Sequence, residues 1–526
     1  MKKSLALLVS LAMLFSLASA LADVTEKGVL PIVTEPITLK VAMPINAKVE
    51  DINTNKLTLF IEETTGIDLE FIELSTSDTA TQVNMLMNSS ELPDVLLAYN
   101  VPYDVLCGWA DAGLIVSLDE QVEKYGDNLF SNFMPKLGDN ALSYVTYDDH
   151  IWAVPSGGGL ITNVYGGEYN RLQTGFLEAL GMEMPHSIDE LYEFLKGVRD
   201  NDVNGNGDPS DEIPMTTYAG NNYIFRMLSN AWQYTDASSY LKVTDGKVSC
   251  IANNEYFLET VTFMKKLVDE GLMDPASFTQ DDSVTAAILA QDGLNVGIYA
   301  CGNMYTNTMD STGDEYQNMR CLPNLEGPYG YKSSLYSPAT VRISGIITSA
   351  CKDVDAAFRM MDWFLSEDFA LACRVGFEGE EWAKAEDGMI GRDGTPAWFY
   401  LLKTQEWVQP STNVIWDSES FIVSDIMNHC EMSMTASKYP TALDIQEWNF
   451  PGENTYEKLP QLLMSAEDMA EYNELKTLIV DQINVAIAAF TLGDRSLDEF
   501  DAFCGELEAM GLERYIELAQ TAYDAL

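Results

Sequence analysis

Ile37-Thr-Leu-Lys-Val-Ala-Met43 alternates apolar and polar side chains, Asn53 to Thr65 carries a helical spacing stopped by Gly66, and Ile67-Asp-Leu-Glu-Phe-Ile72 alternates again. Strand, helix and strand at this spacing make a βαβ unit, whose two strands lie parallel because the helix carries the chain back across the sheet. The pattern repeats with a helix at Gln82–Met87 and a buried strand at Leu92-Pro-Asp-Val-Leu-Leu-Ala98. Ile151-Trp-Ala-Val-Pro155 is extended and runs into Gly157-Gly-Gly159, where the chain can bend and leave the first lobe. Helical spacing then marks 187–199, 254–270 and 283–291, the second of them stopped by Gly271. Val341–Ile347 reads as a strand, and Asp353–Ser366 as an amphipathic helix with Met360, Trp363 and Phe364 on its core side. From about Pro396 the pattern reads as mostly helical, above all at Ala466–Leu492 and Ser496–Met510, with Gly493 and Gly511 as stops. The expected fold is α/β with two lobes and several crossings between them. One lobe is assigned 37–153 and about 337–395, the other about 154–336 and 396–526, which places a cleft at a hinge.

The chain has 526 residues, more than a single hydrophobic core serves well. Lys2 and Lys3 precede an apolar run from Leu5 to Leu17 that ends in Ala18, Ser19, Ala20 and Ala22. This is the pattern of a cleaved signal peptide, with cleavage after Ala22 preferred and Ala20 as the alternative, and it predicts a secreted or cell-envelope protein. No cysteine adjoins either site, so a lipid anchor is not expected. The net charge of −51 disfavours nucleic acid and anionic membrane as partners. Eight cysteines and three histidines form no CxxC or close Cys/His group, which argues against zinc, and the apolar neighbours of the cysteines read as buried free thiols.

The segment Asp202-Val-Asn204-Gly-Asn206-Gly-Asp208-Pro-Ser-Asp211-Glu212 sets oxygen side chains at alternate positions around glycines. Calcium takes six to eight oxygen ligands, and the first half matches the D-x-[DN]-x-[DN]-G start of an EF-hand loop. The second half departs from it, because Ile213 falls where the closing glutamate belongs. A calcium-binding turn is therefore expected, as distinct from a helix-flanked EF-hand. Asp202, Asn204 and Asn206 are assigned as side-chain ligands, Asp211 and Glu212 as closing ones, and Asp208 as a ligand through either backbone or side chain. The competing reading is a plain Asx-rich turn held by its own hydrogen bonds.

Leu180-Gly-Met-Glu-Met-Pro-His-Ser-Ile-Asp-Glu-Leu-Tyr-Glu-Phe-Leu195, the acidic turn and Asp211-Glu-Ile-Pro214 together resemble the extracellular solute-binding proteins, family 1, of ABC transporters. Asp245-Gly-Lys-Val248, Met264-Lys-Lys-Leu-Val-Asp-Glu-Gly-Leu-Met-Asp-Pro275, Gly376-Phe-Glu-Gly-Glu-Glu-Trp382 and Leu92-Pro-Asp94 agree with it in order along the chain. The resemblance implies a maltose-binding-protein-like fold, a type II periplasmic-binding-protein arrangement, with structural calcium in the acidic turn as in the oligosaccharide-binding branch. It also implies delivery of the ligand to an ABC permease. The turn is one residue longer than the family form, and Phe176 stands where many relatives carry tryptophan.

A sugar is held by aromatic faces over its CH surfaces and by polar groups on its hydroxyls. On that ground Trp152, Tyr99, Asn100, Trp232, Tyr223 and Arg171 are the candidate ligand-binding residues. Tyr99 and Asn100 follow a strand at its carboxyl end, where ligands of open α/β sheets collect. For each aromatic the competing reading is core packing. The expected function is capture, by a monomer, of a carbohydrate, with a neutral oligosaccharide as first choice and uronic-acid oligosaccharides or peptides as alternatives. No GxSxG or HExxH pattern occurs, and no catalytic residue is assigned. A surface adhesin and an extracellular glycosidase are the rival functions.

Overall fold

The computed structural model describes residues 23–47, 49–97, 99–138, 140–158, 170–220, 222–236, 238–289, 295–300, 318–333, 340–391, 395–402, 413–416, 426–431 and 457–526. The leader at 1–22, Ala98, Gly159 of the triple glycine and Cys301 lie outside them, as do 160–169, 334–339 and 432–456.

Ile37–Ile45 and Ile67–Ser75 are strands joined by the helix Lys56–Thr65. They pair in parallel along their whole length, from Ile37 opposite Ile67 to Ile45 opposite Ser75. The helix begins where the Asn55 side chain accepts the Leu57 N–H, and it ends on Gly66 in the left-handed conformation, φ 77°. The Gly66 N–H bonds back to the Glu62 carbonyl. The strand Val95–Leu97 pairs in parallel on the other side of Ile37–Ile45. Thr340–Ile347 then pairs antiparallel with Val95–Leu97 and with Val154–Gly158, completing a five-stranded sheet. Gly157 lies so close to Thr340 that a Cβ there would stand 2.2 Å from the Thr340 carbonyl oxygen. No larger residue fits without parting these strands.

A second sheet of four strands is built from Met319–Cys321, Asn170–Gln173, Val296–Ala300 and Ile213–Thr217, in that spatial order. Its largest core joins the helices Ile188–Asp200, Glu255–Asp269, Ala466–Leu492 and Leu512–Asp524 through Leu191, Phe194, Phe257, Ile483 and Tyr515. Ala466–Leu492 is long and apolar enough to cross a membrane by length and composition alone. Here its Ile479, Ile483, Ile487 and Phe490 are buried in that core.

The first sheet is covered on its two faces by separate clusters, one around Val41, Leu57, Phe358 and Trp363 and one around Leu96, Leu106 and Ile346. Beyond residue 396 the described chain begins with a strand, because Phe399–Leu401 pairs with Trp382–Lys384. Phe399 and Cys430 pack on Val375, and Trp416 enters the first core, while Leu459, Leu462 and the buried apolar residues of the C-terminal helices join the second. The next described α-helix is Ala466–Leu492. Of the described cysteines, 107, 250, 321, 351, 373 and 430 are buried and Cys504 is half-buried.

Candidate functional site

A cavity of about 480 Å³ lies where the two cores meet. Its first wall starts at Asn100, three residues past Leu97, the last residue of a parallel strand. Asn100 is tied to the next strand twice over: its Oδ1 accepts the Ile343 N–H at 3.2 Å, and the Val101 N–H donates to the Ile343 carbonyl at 2.9 Å. Tyr103, Tyr144 and the strand residues Thr340 to Ile343 complete this side. Burial, with Cys107 adding to it, pushes the Tyr103 phenol up to about 12, and its hydroxyl donates to the Thr146 carbonyl.

The opposite wall comes from Asp236, Ser238 and Ser239, from the segment Lys458–Leu463, and from the start of the helix Ala466–Leu492. Met469, Tyr472, Asn473 and Lys476 line the cavity at the i, i+3, i+4, i+7 spacing of one helical face. Tyr472 is held by stacking on Tyr515 with ring centroids 4.9 Å apart. Asp236 and Lys458 form a buried ion pair, and the Asp236 carboxylate also accepts the Ser238 N–H at 2.9 Å. Burial raises the Asp236 pKa, but the Lys458 charge and hydrogen bond outweigh it and hold the carboxyl below its ordinary range. Burial pulls the Lys476 ammonium down, against the opposing pull of Asp236.

Of the sequence-predicted ligand residues, Asn100 lines this cavity and the others lie elsewhere. Tyr99 is half-buried in the cluster around Leu96. Trp152 packs in the same cluster, with its indole N–H donating to the Tyr147 carbonyl at 2.9 Å and its ring edge-on to His150. Trp232 is 5% exposed in the second core, where its indole N–H bonds Glu259 at 2.8 Å. Tyr223 is buried in that core, edge-on to Tyr218. Arg171 is buried on the strand Asn170–Gln173, with a guanidinium nitrogen against the Cys321 sulfur. Sequence reasoning missed Tyr103, Tyr144, Tyr472, Asn473 and Lys476. The mixed stripe from Met469 to Lys476, polar on a helix otherwise rich in apolar residues, was the available signal for the last three.

The acidic turn joins the helix Ile188–Asp200 to the strand Ile213–Thr217, so a strand stands where an EF-hand places its second helix. Asn204 Oδ1 accepts the Asn206 N–H at 3.0 Å, Asp202 Oδ2 the Gly207 N–H at 2.9 Å, and Glu212 Oε1 the Val203 N–H at 3.0 Å. Asn206 donates its side-chain amide to Asp211 Oδ2 at 2.7 Å, while the exposed Asp208 is engaged with Ser210. Among the described residues no three acidic, histidine or cysteine side chains form a metal-holding group by themselves. Asn295 donates its side-chain amide to the Asp211 carbonyl at 2.8 Å. Four oxygens of the turn and this neighbour are nevertheless shielded from solvent without a hydrogen-bond donor: Asp202 Oδ1, Asp211 Oδ1, Glu212 Oε2 and Asn295 Oδ1. Shielded acceptors left unpaired cost free energy, and calcium accepts carboxylate and amide oxygens alike, so the donor set fits that ion. Burial, with the Asp211 charge adding to it, holds the Glu212 carboxyl above its usual range.

Two α/β cores with a cavity of mixed polar and apolar lining between them define a two-lobed binding protein of the periplasmic-binding-protein type. Residues 44–370 match the bacterial extracellular solute-binding proteins, and the chain belongs to that family. It is 26% identical over 522 residues to the fructooligosaccharide ABC transporter substrate-binding protein FusA of Streptococcus pneumoniae serotype 4, covering 95% of this chain and 93% of that protein. It is 21% identical over 481 residues to the polygalacturonan/rhamnogalacturonan-binding protein YtcQ of Bacillus subtilis, covering 88% and 87%. The solved structure of FusA in complex with kestose superposes with a TM-score of 0.73 at 23% identity over 93% of this chain and 99% of that one, and a second FusA structure is described as an EF-hand mutant. These likenesses are to binding proteins.

Proposed function

We propose that this chain captures an oligosaccharide in the cavity between its cores and hands it unchanged to the permease of an ABC importer. The observation that carries this is the cavity itself: tyrosines from both cores and the polar groups of Asn100, Ser238, Ser239 and Asn473 surround one space of ligand size. Support comes from relatives that match nearly their full length to this chain and whose names state oligosaccharide or polysaccharide binding. Bound to one core, the ligand gains contacts from the other only when the lobes approach, so closure follows from its higher affinity for the closed form. The protein acts as a monomer outside the cytoplasm after removal of residues 1–22, and it carries out no chemistry on its ligand.

The lobe boundary in this reading follows the cores of the described residues: those within 37–158 and 340–431 form one lobe, and those within 170–333 and 457–526 the other. Calcium in the acidic turn has a structural part. Asp202, Asp211, Glu212 and Asn295 are its side-chain ligands, with Asn204 and Asn206 shaping the loop by their amide hydrogen bonds, and the ion would supply the positive charge that this set of oxygens lacks. Small-angle scattering during an oligosaccharide titration tests the clamp: saturable compaction is expected, and a rigid envelope at saturating ligand favours the adhesin reading. Recovery of the ligand intact after incubation separates a binding protein from a glycosidase.

A further inference from the structure

The cavity runs against the composition of the chain. Acidic residues outnumber basic ones by 81 to 30 overall, yet the charged side chains among the described lining are one carboxylate, Asp236, and three cations, Arg342, Lys458 and Lys476. Asp236 is taken up by Lys458, both side chains being largely buried. Arg342 and Lys476 make no ion pair among the described residues. They sit on opposite walls, Arg342 on the strand Thr340–Ile347 of the first core and Lys476 on the helix Ala466–Leu492 of the second.

The negative charge of the whole chain does not decide what this space accepts. Surface charges are screened beyond about 8 Å at physiological ionic strength, whereas groups in a partly dry cleft are screened much less. Two like charges facing each other across a cleft oppose its closure. An anion seated between them removes that opposition and attracts both walls at once. Lys476 gains further, because burial disfavours its charged form and a bound anion restores it.

We propose that the captured saccharide is acidic, a uronic-acid oligosaccharide whose carboxylate bridges Arg342 and Lys476 and so couples recognition to lobe closure. This rests on the saccharide-capture reading and adds the charge of the sugar to it.

The test compares oligomers of two to six residues, of galacturonic acid and of mannuronic and guluronic acids, with the same oligomers reduced at their carboxyls to neutral sugars. Calorimetry gives affinity and small-angle scattering gives compaction. At least tenfold tighter binding of an acidic oligomer than of its neutral counterpart is expected. That preference should be lost in Lys476→Gln and in Arg342→Gln, retained in Lys476→Arg, and weakened by added salt. Circular dichroism and melting curves establish that each variant is folded. Equal or tighter binding of the neutral series overturns the inference and leaves saccharide capture standing. Binding and compaction by neither series overturns the inference and the capture reading together.

Discussion

The side-chain amide of Gln461 pairs with both backbone groups of Val341, donating from Nε2 to the carbonyl at 2.8 Å and accepting the N–H on Oε1 at 2.9 Å. Val341 pairs on its other side with Gly157, and the neighbouring strand Val95–Leu97 meets this strand only from Gly345 onward. One amide thus does the work of a missing strand at the cavity wall. The Gln461 carbonyl also accepts the Tyr144 hydroxyl at 2.8 Å, so the segment leading into the helix Ala466–Leu492 is fastened to the first core.

Gln461→Leu should therefore leave two backbone groups of Val341 without partners. A loss of about 1–3 kcal/mol in stability is expected, read from urea unfolding. Gln461→Glu keeps the acceptor and should cost less than Leu; equal costs would show that shape and not pairing matters at this position.

Chelator-treated protein should melt at lower temperature than calcium-loaded protein. With calcium at about 100 times its dissociation constant, the stabilisation should be about 2.7 kcal/mol. Asp211→Ala and Asn295→Ala should both reduce the calcium-dependent rise in differential scanning calorimetry, whereas Asp208→Ala, which removes an exposed group bonded to Ser210, should leave it nearly intact. A calcium-independent melting temperature would return the segment to a plain Asx-rich turn.

Asn473→Ala should weaken oligosaccharide binding by about fivefold, the worth of one net hydrogen bond of about 1 kcal/mol, without a change in melting. Trp152→Phe should do the reverse. It removes the bond to the Tyr147 carbonyl and should cost about 1 kcal/mol of stability at nearly unchanged affinity. A tenfold affinity loss in Trp152→Phe would place that ring in contact with the ligand.

Asp236 gives a pH dependence of known sign. Its carboxyl sits below its ordinary range in the folded protein, because Lys458 outweighs burial. The stability it contributes is then fully present above the unfolded value of about 3.9 and is lost as pH falls through the depressed folded value. Asp236→Asn strands the Lys458 charge in a buried site and should destabilise by about 3–5 kcal/mol at pH 7. The difference between the native protein and Asp236→Asn should shrink at low pH, as followed by denaturant unfolding from pH 6 to pH 3.

The cavity was only partly legible beforehand. Asn100 could be placed because strand ends in open α/β sheets face ligands wherever they occur, and that rule needs only a strand boundary. Trp152, Trp232 and Tyr223 were chosen for chemistry that suits sugars, but a large aromatic suits a core equally, and exposure is not written in the residue type. The charge of the cavity was hidden more deeply. Lys458 and Lys476 are far in sequence from Asp236 and Arg342, and a net charge of −51 gives no hint that three cations share one lining.

Local order is what the sequence determined by itself: the parallel βαβ start at Ile37–Ser75, the helix ends at Gly66 and Gly493, and the oxygen-rich turn at 202–212. Each depends on neighbours within a few residues, through periodicity, capping and left-handed glycine. Only the tertiary structure decided that Phe399, Trp416 and Cys430 pack with the earlier part of the chain, that Asn295 hydrogen-bonds the acidic turn at the Asp211 carbonyl, and that Arg342 and Lys476 share a cavity. Those pairings join residues tens to hundreds of positions apart, and they are set by which apolar surfaces are buried together, a property of the packed whole and of no single segment.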